Sequence, residues 1–128
     1  ANVSATGTGI QKAISFALAQ VGDPYLWGGN GPDAWDCSGL MVASFRQIGI
    51  SLPRRSIEQY TRGTSVQYGQ WQPGDLLFYG FSPGSIHHVA LYIGGNQIVH
   101  ASRSGVPVKV AFAPSGGGSD YLGAKRVA

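Results

Sequence analysis

The chain has 128 residues and a formal net charge of +3, which is one domain's worth and too short for two separate cores. Apolar residues make up 43% and charged residues 12%, a balance that argues against disorder, and no apolar run approaches the ~18 residues of a membrane span. The nine Lys and Arg are scattered in runs no longer than two, which argues against a nucleic-acid face, and 20 glycines with seven prolines argue against a long helical bundle.

Residues 1–8 are small and polar, with no charged start and no apolar stretch. They read as a linker or N-terminal tail ahead of a single domain over 9–128. The first helix is predicted over Gly9–Val21, with Thr8 as N-cap. Ile10, Ala13, Ile14, Ala17, Leu18 and Val21 form its apolar stripe. Gly22-Asp23-Pro24 stops it, and a glycine-rich loop follows from Tyr25 to Pro32. The second helix is predicted from Cys37 to Ile48, with Cys37, Met41, Phe45 and Ile48 on one stripe and Gly49 as its stop. A short helix is expected over Ser56–Thr61. The second half is strand-like: Leu76–Tyr79, His88–Ile93, Gln97–Ala101, Val106–Phe112 and Tyr121–Val127. Helices first and an antiparallel sheet second predict an α+β fold.

Cys37 is the single cysteine, so no internal disulfide is possible. A lone cysteine is either a small buried hydrophobe or a working thiol. Its predicted place, the first residue of a helix, favours the second reading. Unpaired N–H groups and the helix dipole stabilise a thiolate there, and the same N–H groups can hold an oxyanion. Such a thiol needs a base, and three histidines are available: His87, His88 and His100. If Gly94–Asn96 forms the hairpin loop, Ile93 pairs with Gln97 and Ala90 stands opposite His100. His88 and His100 then share a sheet face as diagonal neighbours, and His87 points to the other face. A loop of two or four residues would reverse that parity.

Several segments together resemble the NlpC/P60 family of cell-wall peptidases. They are Gly22–Gly29, Asp36-Cys37-Ser38-Gly39-Leu40, Leu52-Pro53-Arg54-Arg55-Ser56, Pro73–Phe78, His88–Gly94 and Ile98-Val99-His100-Ala101. The details look closest to secreted actinobacterial endopeptidases. The resemblance implies a papain-like α+β fold with N-terminal helices packed on an antiparallel sheet. It implies hydrolysis of peptidoglycan stem peptides, most often between D-γ-glutamate and meso-diaminopimelate, outside the cytoplasm or in the wall. By the family's roles Cys37 is the nucleophile, His88 the base and His100 the polar group that orients it. Actinobacterial relatives often carry an acid at the third place. Tyr25 matches a tyrosine near the thiol that helps the oxyanion or the substrate, and Asp36 and Ser38 match substrate-contact positions. No metal or organic cofactor is implied, and a monomer is expected.

The plainer readings are a helix N-cap for Asp36, a surface residue for His87, and solvated charges for Arg54 and Arg55. A basic wall of Arg54 and Arg55 would also suit anionic stems. The rival functions are a wall-binding module without catalysis, and an amidase or acyltransferase on a related fold. A zinc site built from one Cys and two His fits poorly with a cysteine that opens a helix.

Overall fold

The computed structural model describes residues 2–128, with side chains from Gly9 onward. Helix α1 spans Asn2–Ala19, α2 Cys37–Arg46 and α3 Ser56–Gln59. Six strands follow: β1 Thr64–Val66, β2 Leu76–Gly80, β3 Ile86–Gly94, β4 Gln97–His100, β5 Lys109–Phe112 and β6 Tyr121–Arg126. They form one antiparallel sheet in the order β1-β6-β2-β3-β4-β5. The helices pack on one face, so the predicted α+β architecture is the observed one.

Helix α1 differs from expectation at both ends. Its backbone is helical from Asn2, so Thr8 lies inside the helix and is not its cap. No proline interrupts residues 2–8 to stop a helix there. Ala1 and the side chains of 2–8 lie outside the described residues, and so does the expectation that 1–8 act as a tail. Ile10, Ala13, Ile14 and Ala17 are buried as predicted. Leu18 and Val21 are 38% and 45% exposed, so the buried stripe ends at Ala17.

Helix α2 begins at Cys37 as predicted. Beyond Arg46 the chain tightens into a terminal turn. Gly49, with φ +78°, donates to the Arg46 carbonyl at 3.1 Å, and Ile50 donates to Phe45 at 3.0 Å. This is a Schellman cap, and it needs a residue that tolerates positive φ at Gly49. Leu40, Met41 and Phe45 are fully buried against Leu76, Phe78, Val89, Leu91 and Val99 of the sheet. The other sheet face carries a smaller cluster of Leu77, Tyr79, Ala90, Ile98 and Ala124, flanked by Trp71, Tyr92 and Tyr121. Apolar residues on both faces explain why β2 is buried along its whole length.

Two strand predictions change. The Val106–Phe112 run splits at Pro107–Val108. Val108 exchanges hydrogen bonds with Gly22 and Asp23 at 2.9 Å each, so pairing with β4 starts only at Lys109. Strand β1 was not predicted. It is a three-residue edge strand, Thr-Ser-Val, with little burial and so no apolar alternation to reveal it.

The β3–β4 hairpin keeps the predicted register by another route. Leu91 pairs with Val99 as expected, but Gly94 pairs with Gln97, which leaves a two-residue turn, Gly95-Asn96. Both turn residues have positive φ, +60° and +61°. An irregularity between Tyr92 and Gly94 takes up the extra residue and restores the parity.

Candidate active site

Asp36 sets the start of α2. Its Oδ1 accepts from the Gly39 N–H at 2.7 Å, the N-cap bond expected of an aspartate in extended conformation. The Gly29 carbonyl accepts from the Asp36 N–H at 2.8 Å, which pins the glycine loop to the helix entry. Gly39 must be small, because a Cβ there would stand 2.2 Å from the Gly29 carbonyl oxygen. With Gly39 N–H given to Asp36, the N–H groups of Cys37 and Ser38 are the ones facing the sulfur.

Cys37 is partly exposed and packs against the core at the N-terminal end of its helix. The backbone N–H of Val89, the residue after His88, also donates to it. That contact fixes α2 against β3 next to His88. His88 is 5% exposed and its Nε2 lies 2.7 Å from Nδ1 of the fully buried His100. The structure thus brings His88 and His100 into contact, as the hairpin register predicted, and sets Cys37 against the backbone of the residue that follows His88. Tyr79, buried and donating to the Pro114 carbonyl at 2.8 Å, stacks at an angle on the His88 ring.

The electrostatics depart from expectation. Burial raises the thiol of Cys37 above its ordinary value, with Asp36 adding to the rise and the N–H groups of Val89 and Ser38 opposing it. Burial, then His100 and His87, pull His88 down to about 3. Burial and the charge of Lys109 pull His100 down to about 4. Burial thus works against a thiolate–imidazolium pair in the cleft, whereas the N–H groups of Val89 and Ser38 work in favour of the thiolate. A neutral His88 is still the form that can accept a proton.

A pH effect on stability follows. Both histidines have folded pKa values below the ordinary 6.5, so the unfolded chain takes up protons first as pH falls. Their stabilisation is complete above pH 6.5 and is lost as pH drops towards 4 and 3. At pH 5 the loss is on the order of 2 kcal/mol per imidazole. Asp120, held below its ordinary value by His87, responds only at lower pH. Thermal melts from pH 7.5 to 4.5 should show the midpoint falling steadily below pH 6.5. A midpoint that is flat from pH 7 to 5 would contradict the buried neutral pair.

His87 is exposed while His88 is buried, and it stands outside the regular ladder. Tyr79 pairs with His88 but Gly80 pairs with Ile86, so His87 is the extra residue of a β-bulge. Its exposed ring lines the cleft outside Cys37 and bonds to Asp120 at the entry to β6. Nothing in the spacing of the sequence signals that bulge.

The cleft is further lined by Tyr25, Trp27, Asp36, Ser38, Arg54, Arg55 and Ile57. Burial first, then the proximity of Cys37 and Asp36, raises the Tyr25 hydroxyl above its ordinary value, so it stays protonated as a donor beside the thiol. Asp36 and Ser38 are already occupied. Arg54 forks onto both Asp36 oxygens at 3.1 and 2.9 Å, and onto Ser38 Oγ at 2.9 Å. The buried side chain of Gln59 donates to the carbonyls of Ser38 and Pro53 at 3.2 and 2.8 Å. Arg54 and Gln59 thus brace helix α2 at its Cys37 end. Their partners lie at least six residues away in the chain, so sequence spacing could not expose them. Among the described residues no group of three or more His, Cys, Asp or Glu is placed to hold a metal. No described helix is long and apolar enough to cross a membrane.

Fold and site together define a papain-like α+β domain, with one thiol at a helix start and two buried histidines on the facing sheet. The NlpC/P60 family model matches residues 22–118, and the chain belongs to that family. It is 44% identical over 104 residues to a probable endopeptidase of Mycobacterium tuberculosis, covering 81% of this chain and 26% of the relative. It is 44% identical over 92 residues to the probable endopeptidase p60 of Listeria grayi, covering 72% of this chain and 18% of the relative. The chain thus spans about a fifth to a quarter of these curated relatives. Among solved structures it matches the NlpC/p60 domain of the peptidoglycan hydrolase SagA with a TM-score of 0.81 and 34% identity. That match covers 91% of this chain and 97% of the solved one.

Proposed function

We propose that this domain is a cysteine endopeptidase that cuts peptidoglycan stem peptides between D-γ-glutamate and meso-diaminopimelate. It would act as a monomer outside the cytoplasm, with residues 9–128 as its catalytic unit and no cofactor. The observation that carries the reading is the 2.7 Å contact between His88 Nε2 and His100 Nδ1, with Cys37 held against the next residue of β3. Names of relatives support it: probable endopeptidase for the curated proteins and peptidoglycan hydrolase for the solved domain.

The histidine contact sets the division of labour. With His88 Nε2–H donating to His100 Nδ1, the lone pair of His88 Nδ1 is left for the thiol. His88 takes the Cys37 proton as the sulfur attacks the amide carbonyl. The N–H groups of Cys37 and Ser38, with the Tyr25 hydroxyl, receive the oxyanion. The imidazolium gives its proton to the leaving amine, and water deprotonated by His88 then hydrolyses the thioester. Since Asp36 and Ser38 are bonded to Arg54, their part is to shape the cleft around the thiol.

The test is digestion of the free stem tripeptide and of purified peptidoglycan, with products read by mass spectrometry. A new diaminopimelate amino terminus is the expected product. Binding without cleavage would favour a wall-binding module, and release at another amide would favour an amidase.

A further inference from the structure

Between β5 and β6 the chain runs through Pro114-Ser115-Gly116-Gly117-Gly118, a segment that does not line the cleft and that the proposed chemistry does not use. It lies flat on the sheet. A Cβ on Gly116 would stand 2.3 Å from the Cβ of Ala111, and a Cβ on Gly117 would stand 2.3 Å from Cζ of Tyr79. Glycine at both places is what allows so close an approach. The Pro114 carbonyl accepts from the Tyr79 hydroxyl at 2.8 Å and from the Gly117 N–H at 3.0 Å. The Ala113 N–H donates to the Asn96 carbonyl at 2.9 Å, which ties the start of the segment to the β3–β4 turn. Tyr79 is fully buried, and the ring of Tyr121 meets it edge-on, with centroids 5.8 Å apart. Its ring is therefore clamped at the hydroxyl end.

The same ring touches His88. Tyr79 and His88 pair across β2 and β3, so their side chains leave the same face of the sheet. Their centroids are 5.4 Å apart, with the planes at 40°. The imidazole has one hydrogen-bond support, between its Nε2 and His100 Nδ1. A single bond fixes where that nitrogen sits and leaves the ring free to tilt about it. A packed aromatic neighbour removes that freedom, provided the neighbour itself cannot move. The clamp on Tyr79 meets that condition.

We propose that Tyr79, held by residues 113–118, is a positioning residue that sets the plane of the His88 imidazole. This rests on the reading of His88 as the base for Cys37. A base whose lone pair is misdirected transfers the proton slowly while substrate binds as before, so the clamp acts on kcat and leaves KM alone.

The test compares three variants. Tyr79→Leu removes the ring. Tyr79→Phe keeps the ring and gives up the hydroxyl anchor. Gly117→Ala drives a methyl group against the ring from the loop side. With the L-Ala-γ-D-Glu-diaminopimelate peptide, kcat should fall about 30-fold in Tyr79→Leu and about tenfold in Gly117→Ala, with KM within about twofold. Tyr79→Phe should restore most of the rate, to within about threefold of wild type. Alkylation of Cys37 by iodoacetamide reads the thiol and its base without any peptide, and should slow in the same order. Thermal melts identify the variants that fold, and if Tyr79→Leu does not, Gly117→Ala decides on the same terms. Folded variants that keep kcat within about twofold of wild type, or whose loss lies in KM, would overturn the assignment. If wild type cleaves no peptide, the endopeptidase reading fails. The alkylation rates then decide the clamp: a graded fall supports it, and equal rates overturn it.

Discussion

Replacing Cys37 by Ala is expected to remove turnover by about 10⁴-fold or more, and His88→Ala should approach the same loss. In the proposed mechanism the two residues act as one proton-transfer unit, so the double variant should be hardly worse than either single one. The fold should survive the cysteine change. The thiol is partly exposed, and α2 keeps its Asp36 cap, its Gly49 terminus and the buried Leu40, Met41 and Phe45. Steady-state rates and thermal midpoints of all three variants check this. A Cys37→Ala protein that keeps a substantial rate would place the chemistry elsewhere. Losses that multiply in the double variant would mean that the two residues act independently.

The largest stability effect is expected far from the cleft. Asp75 is 1% exposed at the entry to β2, and Arg126 on β6 forks onto its two oxygens at 2.9 Å each. The Asp75 carboxylate also accepts from the Gln72 N–H at 2.8 Å, closing the turn that launches the strand. The pair raises the Arg126 guanidinium further above its ordinary value. Arg126→Ala leaves a buried carboxylate with only backbone donors. Breaking such a pair from one side is costly, though the half-exposed arginine moderates the loss, so about 3 kcal/mol is expected. For a chain of this length that is roughly a 10 °C fall in the thermal midpoint. Asp75→Asn should cost less, because the neutral amide is cheaper to bury. Calorimetry of both variants decides. Equal, small losses would mean that the ion pair is a surface contact of little weight.

The sequence revealed those features that depend on short-range periodicity. The apolar spacing of Cys37, Met41 and Phe45 placed the thiol at a helix start. The run from His88 to His100 predicted a register that put both imidazoles on one face, and that register is observed at Leu91–Val99. What stayed hidden depends on contacts between distant segments. The bulge at His87 is set by how β2 ends at Gly80. The Arg54–Asp36 fork closes over a separation of 18 residues, and it ties Asp36 and Ser38, both on the cleft wall, to a side chain that no local spacing points to. Strand β1 is held by β6 from the far end of the chain. The upward pull on the thiol and the downward pull on the imidazoles are the least legible of all, since desolvation belongs to the whole packed core and to no motif.

The central claim is that Cys37 is acylated by a stem peptide. Its most direct test is intact-mass analysis of the protein, quenched in acid within the first turnovers of the L-Ala-γ-D-Glu-diaminopimelate peptide. The account predicts an adduct of L-Ala-γ-D-Glu mapped to Cys37, absent in Cys37→Ala, with diaminopimelate released in equal amount. Release of diaminopimelate that is undiminished in Cys37→Ala, or an adduct on another side chain, would contradict it.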